Sequence, residues 1–473
     1  MEVPRTWSKF CGRFQKIYST NSRRNTWRPS LPVLFIAATV LYIVVGGIRR
    51  RGTHIWQIEK MHKEYGPIIR LNPYEIHILD PDFFDELYSG PPAASRSGPV
   101  TKLDKYHSWL NTAGAGGSTF SAVTHKHHRL RRSPLAPFFS ARSVANLEPI
   151  IKSKVEKLCS RFSQLAQTGE VVRLDAAFMA LTMDVICDYA FDDARWYLDK
   201  HDFEANWKDS VVKAAEGGAM ARQFPWMLPL LMERVPLHLV SWMNPAAGTL
   251  VGWRETVFKV ERRTIFHILR DYDLPREENT VKRLCDEAGV ITGAGSETTA
   301  QTLTRIMFYL KWVDKSVLER VRAELDTVLG EKGELFTWTG LRLSYGITVQ
   351  NPRTAREDIR YKDYVIPAGS AYFILMHPDI FPEPTEFRPE RWLQPGKRLD
   401  KYLVSFGKGT RQCLGINLAM AELHLALAAV VSRFDLGMYE TGLGDVVCKH
   451  DFFIPVAGLN SKSVRARIIG SRH

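Results

Sequence analysis

A cysteine set among glycines, in Phe406-Gly-Lys-Gly-Thr-Arg-Gln-Cys413-Leu-Gly415, is the stretch of this 473-residue chain best suited to chemistry. The thiolate is the nucleophilic and metal-binding form of cysteine, and the residues around Cys413 suit a metal-bound thiolate. Gly407, Gly409 and Gly415 allow backbone geometries closed to other residues and let the main chain approach a flat ligand closely. Amides converging on the sulfur would tune a bound metal, and Arg411 is placed to meet an acidic group of the ligand. Immediately afterwards, Ile416 to Phe434 runs apolar at helical spacing, which predicts a buried helix with the cysteine at its mouth. A plain glycine-rich loop with a buried cysteine is the simpler reading of the same string.

The second chemistry-bearing string is Gly293-Ala-Gly-Ser-Glu297-Thr298-Thr299, inside a helix predicted from Val281 to Trp312. A mid-helix glycine costs about 1 kcal/mol relative to alanine, so two of them call for a reason. That reason is either room for a small ligand or close packing against a neighbouring helix. Thr298 and Glu297 offer a hydroxyl and a carboxylate for positioned proton transfer.

F-x-x-G-x-R-x-C-x-G ahead of an apolar helix resembles the haem-binding signature of the cytochrome P450 superfamily, and the resemblance covers residues 54 to 458. It implies the cytochrome P450 fold, mainly α with small β-sheets. It also implies haem (iron protoporphyrin IX) with Cys413 as the metal ligand, whose electron donation favours oxygen activation. By the same resemblance His128, Arg132, Arg353, Phe406, Arg411 and Cys413 bind the cofactor, while Thr298 and Glu297 are catalytic. Pro352-Arg353 resembles a strand with a propionate-binding arginine, and Tyr364 to Gly369 the turn after it. Glu386 to Trp392 resembles the P-E-R-F element, with Arg391 as its structural arginine. His128-Arg-Leu-Arg-Arg132 stands where a W-x-x-x-R pair is expected, with His replacing Trp. Residues four apart share a helix face and can both meet carboxylates; a basic surface face is the alternative.

One landmark departs from the pattern. The family carries E-x-x-R on the helix before the Pro-Arg strand, and Leu341-Arg342 resembles the end of that helix, yet Thr339 stands where the glutamate belongs. Glu319 to Arg322 and Glu357 to Arg360 match the spacing elsewhere and read as surface pairs of little energetic weight. The tract from Gly333 to Gly340 is too short for the expected helix, as if roughly a full helix were missing. An arginine pair at Arg342 and Arg391 without its carboxylate would be costly if buried.

With 45% hydrophobic and 24% charged residues the chain is globular. Of the net charge of +13, most falls in residues 1 to 51, where ten Lys or Arg face Glu2 alone. Beside this basic cluster lies the uncharged run Leu31 to Ile48, just long enough for a membrane span of roughly 17–25 residues or for a monotopic contact. The pairing suits lipid headgroups and gives no argument for nucleic acid. The division expected is residues 1–51, a basic segment with a membrane anchor at 31–48, and residues 52–473, the haem-binding monooxygenase domain. Six scattered cysteines without C-x-x-C indicate a reducing compartment; Cys187 and Cys285 read as core fillers. The aromatic and methionine-rich Arg222 to Met232 resembles a mobile roof over an apolar substrate.

These readings imply a membrane-attached monooxygenase of fungal secondary-metabolism type, at the endoplasmic reticulum with its catalytic domain in the cytosol. It would hydroxylate or epoxidise a lipophilic secondary metabolite, terpenoid or polyketide-like, with O2 and NADPH electrons delivered by NADPH-cytochrome P450 reductase. Two alternatives stand beside it: a catalytically impaired P450-like relic lacking the E-x-x-R helix, and a membrane-attached helical scaffold without cofactor.

Overall fold

The computed structural model describes residues 52–72, 75–89, 103–107, 115–191, 196–221, 265–312, 315–331, 353–354, 359–361, 364–366, 371–373, 402 and 404–471. The expectations for 1–51, 222–232, 333–342, Pro352, Glu357, 367–369 and 386–392 lie outside them. In chain order the elements begin with α1 (His54–Tyr65), β1 (Ile68–Asn72), β2 (Glu75–Ile78), α2 (Pro81–Ser89), β3 (Asp104–Lys105) and α3 (His125–Arg132). The body follows with α4 (Ala141–Thr168), β4 (Val171–Arg173), α5 (Leu174–Phe191), α6 (Ala205–Ala221), α7 (Ile265–Asp271), α8 (Val281–Trp312) and α9 (Lys315–Glu331). Short strands β5 (Arg353–Thr354), β6 (Ile359–Tyr361), β7 (Tyr364–Ile366) and β8 (Ala371–Phe373) precede α10 (Ile416–Arg433) and β9 (Phe434–Met438). The chain closes with β10 (His450–Asp451), β11 (Pro455–Val456) and β12 (Arg465–Ser471). The mainly α class with small sheets is what the sequence implies.

The helical core forms around α5, which has apolar residues on every side and is almost entirely buried, Asp175, Thr182 and Asp184 included, as expected of a helix surrounded by others. Helix α8 lies along it. Thr182 Oγ1 of α5 donates to the Ser296 carbonyl of α8 at 3.0 Å, a polar stitch inside the apolar contact. Helix α4 starts at Ser140, whose hydroxyl accepts from the Ser143 amide at 3.2 Å, and ends at Gly169 in the left-handed conformation. It packs its Leu147, Ile151, Leu158 and Phe162 stripe into the core, against α5 and α10. By length and composition α10 could cross a membrane, but Leu423, Leu427, Val430 and Val431 are buried in the core and account for its apolar face.

The described residues form four sheets, of which β6-β7 and β10-β11 are two-stranded hairpin-like pairs and two are larger. The larger has the order β1-β2-β8-β5-β3, with β2 and β8 parallel and the other pairs antiparallel. It places Arg353 of β5 opposite Lys105 of β3, which brings two cations from distant parts of the chain to one place. The smaller, β4-β12-β9, is antiparallel throughout and closes the molecule around α4.

Arg322 differs from the surface pair its spacing implies. It reaches across from α9 to the Val431 carbonyl at 3.1 Å, the Phe434 carbonyl at 2.9 Å and Asp435 at 2.7 Å. The side chain is 13% exposed. A helix register that turns this arginine toward the end of α10 makes it a joint between elements.

Candidate active site

The Cys413 loop is a backbone construction. Gly407 and Gly409 have φ of 65° and 70°, the left-handed region that side-chain-bearing residues avoid. These turns fold the loop back so that the Cys413 amide donates to the Phe406 carbonyl at 2.8 Å, while the Phe406 ring packs on the core. Gly415 has φ of −88° and sits at the start of α10, so it needs no special conformation. Cys413 is reachable by solvent from one side. Desolvation raises its thiol pKa, against the opposing pulls of the Gly415 amide and Arg132.

A set of cations gathers beside this loop. From α3, Arg132 Nη1 donates to the Gln412 carbonyl at 2.8 Å, next to Cys413. His128, one turn earlier, is 5% exposed; burial first, then Arg411, Lys105, Arg132 and His125, hold its pKa down to about 2. His128 is therefore neutral here and does not supply a positive charge, in contrast to the paired cationic face its spacing with Arg132 suggests. Arg131, between them in sequence, points elsewhere and binds Glu278 at 2.6 Å.

Arg411 donates to the carbonyls of Ala122 and Val123 at 2.7 and 2.6 Å. Its burial, with Arg353 nearby, brings its pKa down to about 9, Asp104 acting the other way. Arg353 is buried and lies 4.8 Å from the centre of the Tyr88 ring. Lys105, absent from the expected set, donates to the Phe120 carbonyl and is pushed well below the lysine range by burial, Arg353 and Arg411. No spacing marked it, because it enters through strand pairing between β3 and β5.

Such a cluster is costly unless an anion joins it. Arg411 Nε is buried without a hydrogen-bond partner, as a site with room for one more acceptor would leave it. A thiol and a bank of buried cations form a donor set that fits a planar cofactor with acidic side groups and a thiophilic metal.

The helix groove divides the two explanations for its glycines. A Cβ on Gly295 would meet the Ile186 side chain of α5 at 3.3 Å, so Gly295 serves close packing. A Cβ on Gly293 would meet nothing within 4 Å. Ala294 is exposed and Thr298, one turn on, is partly exposed, its Oγ1 donating to the Ala294 carbonyl at 2.8 Å. Glu297, next to Thr298 in the chain, is 2% exposed; its Oε1 accepts from Lys208 of α6 at 2.5 Å, and Oε2 has no partner. Desolvation raises its carboxyl pKa, and the Lys208 ammonium lowers it. Lys208 is a second site residue that the sequence did not signal.

The cytochrome P450 family model matches residues 38–457. A cytochrome P450 monooxygenase of Penicillium crustosum is 37% identical over 440 residues, covering 85% of this chain and 98% of the relative. A conidiogenone synthase of Penicillium rubens is 35% identical over 451 residues, 88% of this chain and 89% of the relative. An N-acetyltryptophan 6-hydroxylase of Emericella nidulans is 34% identical over 471 residues, 90% of this chain and 88% of the relative. The first alignment runs over 440 positions while taking in 85% of 473 residues, so at roughly forty positions the relative has residues and this chain has none, enough for a helix and its connections. The other two alignments exceed their share of this chain by similar lengths. The chain belongs to the cytochrome P450 family and is an oxidoreductase of the monooxygenase kind.

Proposed function

We propose that this monooxygenase hydroxylates or epoxidises a lipophilic secondary metabolite, terpenoid or polyketide-like, with electrons from NADPH passed through NADPH-cytochrome P450 reductase. The observation that carries the reading is the Cys413 loop beside buried cations, a thiol and an anion site brought together from four parts of the chain. Cys413 would ligate the iron of haem. Lys105, Arg353, Arg411 and Arg132 would face its acidic side groups, with His128 as a neutral hydrogen-bonding wall and Phe406 packed under the loop. Bound there, haem supplies a thiolate-ligated iron competent to activate dioxygen.

The protein's own part is orientation and proton supply. Thr298 would hold a proton at the groove opened by Gly293 and Ala294. Glu297 would replenish it through Oε2, the oxygen that Lys208 leaves open. Residues 52–473 would form the catalytic domain, and the basic segment 1–51 with its apolar run 31–48 would attach it to the endoplasmic reticulum membrane, facing the cytosol. The relatives' activities, conidiogenone synthesis and 6-hydroxylation of N-acetyltryptophan, support oxidation of a specialised small molecule without naming it.

The test is spectroscopic. Protein reduced under carbon monoxide should give the red-shifted Soret band of thiolate-ligated haem, and Cys413→Ala should abolish it. The same band in that variant would remove Cys413 from the role.

A second reading, a haem-binding protein impaired in activity, has its own observation. The roughly forty missing positions agree with the short tract before Arg342, where the E-x-x-R helix belongs. Haem content per chain, compared with that of a form carrying the full segment, separates the two.

A further inference from the structure

The stretch 117–123 is bonded on both sides along almost its whole length. Toward α8, the Gly117 amide donates to Asp286 Oδ2 at 2.8 Å, and the Thr119 amide and hydroxyl both donate to Glu287 Oε2 at 2.8 Å. Toward the cysteine loop, the carbonyls of Ala122 and Val123 accept from Arg411. Between these anchors the Ser118 carbonyl accepts from Arg131 Nη1 at 3.0 Å and the Phe120 carbonyl from Lys105.

The α8 end of this bridge is buried and charged. Asp286 and Glu287 are 0% and 2% exposed, and Arg283 Nη2 lies 3.3 Å from Glu287 Oε2. Glu278 joins from the turn before α8, binding Arg131 at 2.6 Å and His127 at 2.5 Å. Gly117 is required by proximity alone: a Cβ there would lie 2.9 Å from Asp286 Oδ2 and 3.0 Å from the Arg283 Cα. A backbone atom cannot swing aside as a flexible side-chain tip can.

We infer that Asp286 and Glu287 are positioning residues for Arg411, acting through the 117–123 bridge, so that the start of α8 and the Cys413 loop are coupled directly through protein. The guanidinium can present Nε to an anion only while its two Nη groups are held by fixed carbonyls. Those carbonyls are fixed in turn by the carboxylates of α8. The inference rests on the proposed haem site only for its consequence, since the bridge itself consists of protein groups.

The experiment uses the full chain and has two readouts. In the haem-free protein, hydrogen–deuterium exchange of peptides spanning 115–123 and 406–415 should rise together in Glu287→Ala and in Gly117→Ala. Glu287→Gln, whose amide oxygen can still accept from Thr119, should keep both protected. In the haem-loaded protein, transfer of haem to apomyoglobin should be about tenfold faster in Glu287→Ala, and the Glu287→Ala/Arg411→Ala double variant should be no faster than Arg411→Ala alone, because coupled residues are not additive. Exchange at 406–415 unchanged in Glu287→Ala, or additive transfer rates in the double variant, would overturn the coupling. A parent chain that takes up no haem would instead count against the proposed cofactor site and leave the exchange readout to decide the bridge.

Discussion

His128 illustrates how burial overrides a residue's ordinary chemistry. In the unfolded chain its imidazole takes up a proton near pH 6.5; in the fold, desolvation and the surrounding cations lower that to about 2. Between these values the unfolded state binds more protons, so stability is lost as pH falls below 6.5. At pH 5.5 the loss from this group is roughly 1 kcal/mol. His128→Phe should flatten urea midpoints measured across that range, and parallel curves for variant and parent would mean that the imidazole takes up its proton as readily in the fold as in the unfolded chain. Lys208 and Glu297 make the opposite case, a buried pair whose members each need the other. Lys208→Met should cost about 3–5 kcal/mol in urea unfolding, because it strands a buried carboxylate, and adding Glu297→Leu should recover most of that loss. A double variant as unstable as the single one would show that the side chains matter for shape and not for charge.

At the level of elements, the joint between α9 and α10 tests how spacing misleads. Glu319 and Arg322 match E-x-x-R, yet Arg322 spends its guanidinium on Val431, Phe434 and Asp435, where Lys311 of α8 also arrives at 3.3 Å. Arg322→Ala should therefore cost about 2–3 kcal/mol, as expected when a charged donor is removed from several acceptors. Glu319→Ala, on an exposed face, should stay within about 0.5 kcal/mol. Chemical denaturation of the two variants side by side checks both numbers; equal effects would return the pair to the helix surface.

For the whole molecule, the missing positions are the decisive matter. A P450 chain that lacks roughly forty positions its relatives have, and whose tract before Arg342 is too short for the E-x-x-R helix, is expected to hold haem poorly if those positions belong there. Inserting the relative's corresponding segment between Trp338 and Thr339 should raise the haem-to-protein absorbance ratio several-fold and raise the melting temperature. Stoichiometric haem and an unchanged melting temperature in the shorter chain would mean that other residues stand in for the missing acid.

Much of the framework was legible in the residues because it is local. The glycine-flanked Cys413 loop, the helix from Val281 to Trp312 and the buried helix after the cysteine follow from backbone freedom and apolar periodicity, and all three stand at or within a residue of those bounds. What periodicity could not supply was the partner of each charge. Lys105 reached the site through a strand pairing with Arg353, Lys208 through the packing of α6 on α8, and Arg322 left its helix neighbour for α10. Even the two groove glycines, equivalent in the sequence, took different tasks because only Gly295 faces Ile186. Sequence spacing fixes which side chains share a face of one element; which element that face meets, and whether a charge there is buried, is decided by tertiary packing.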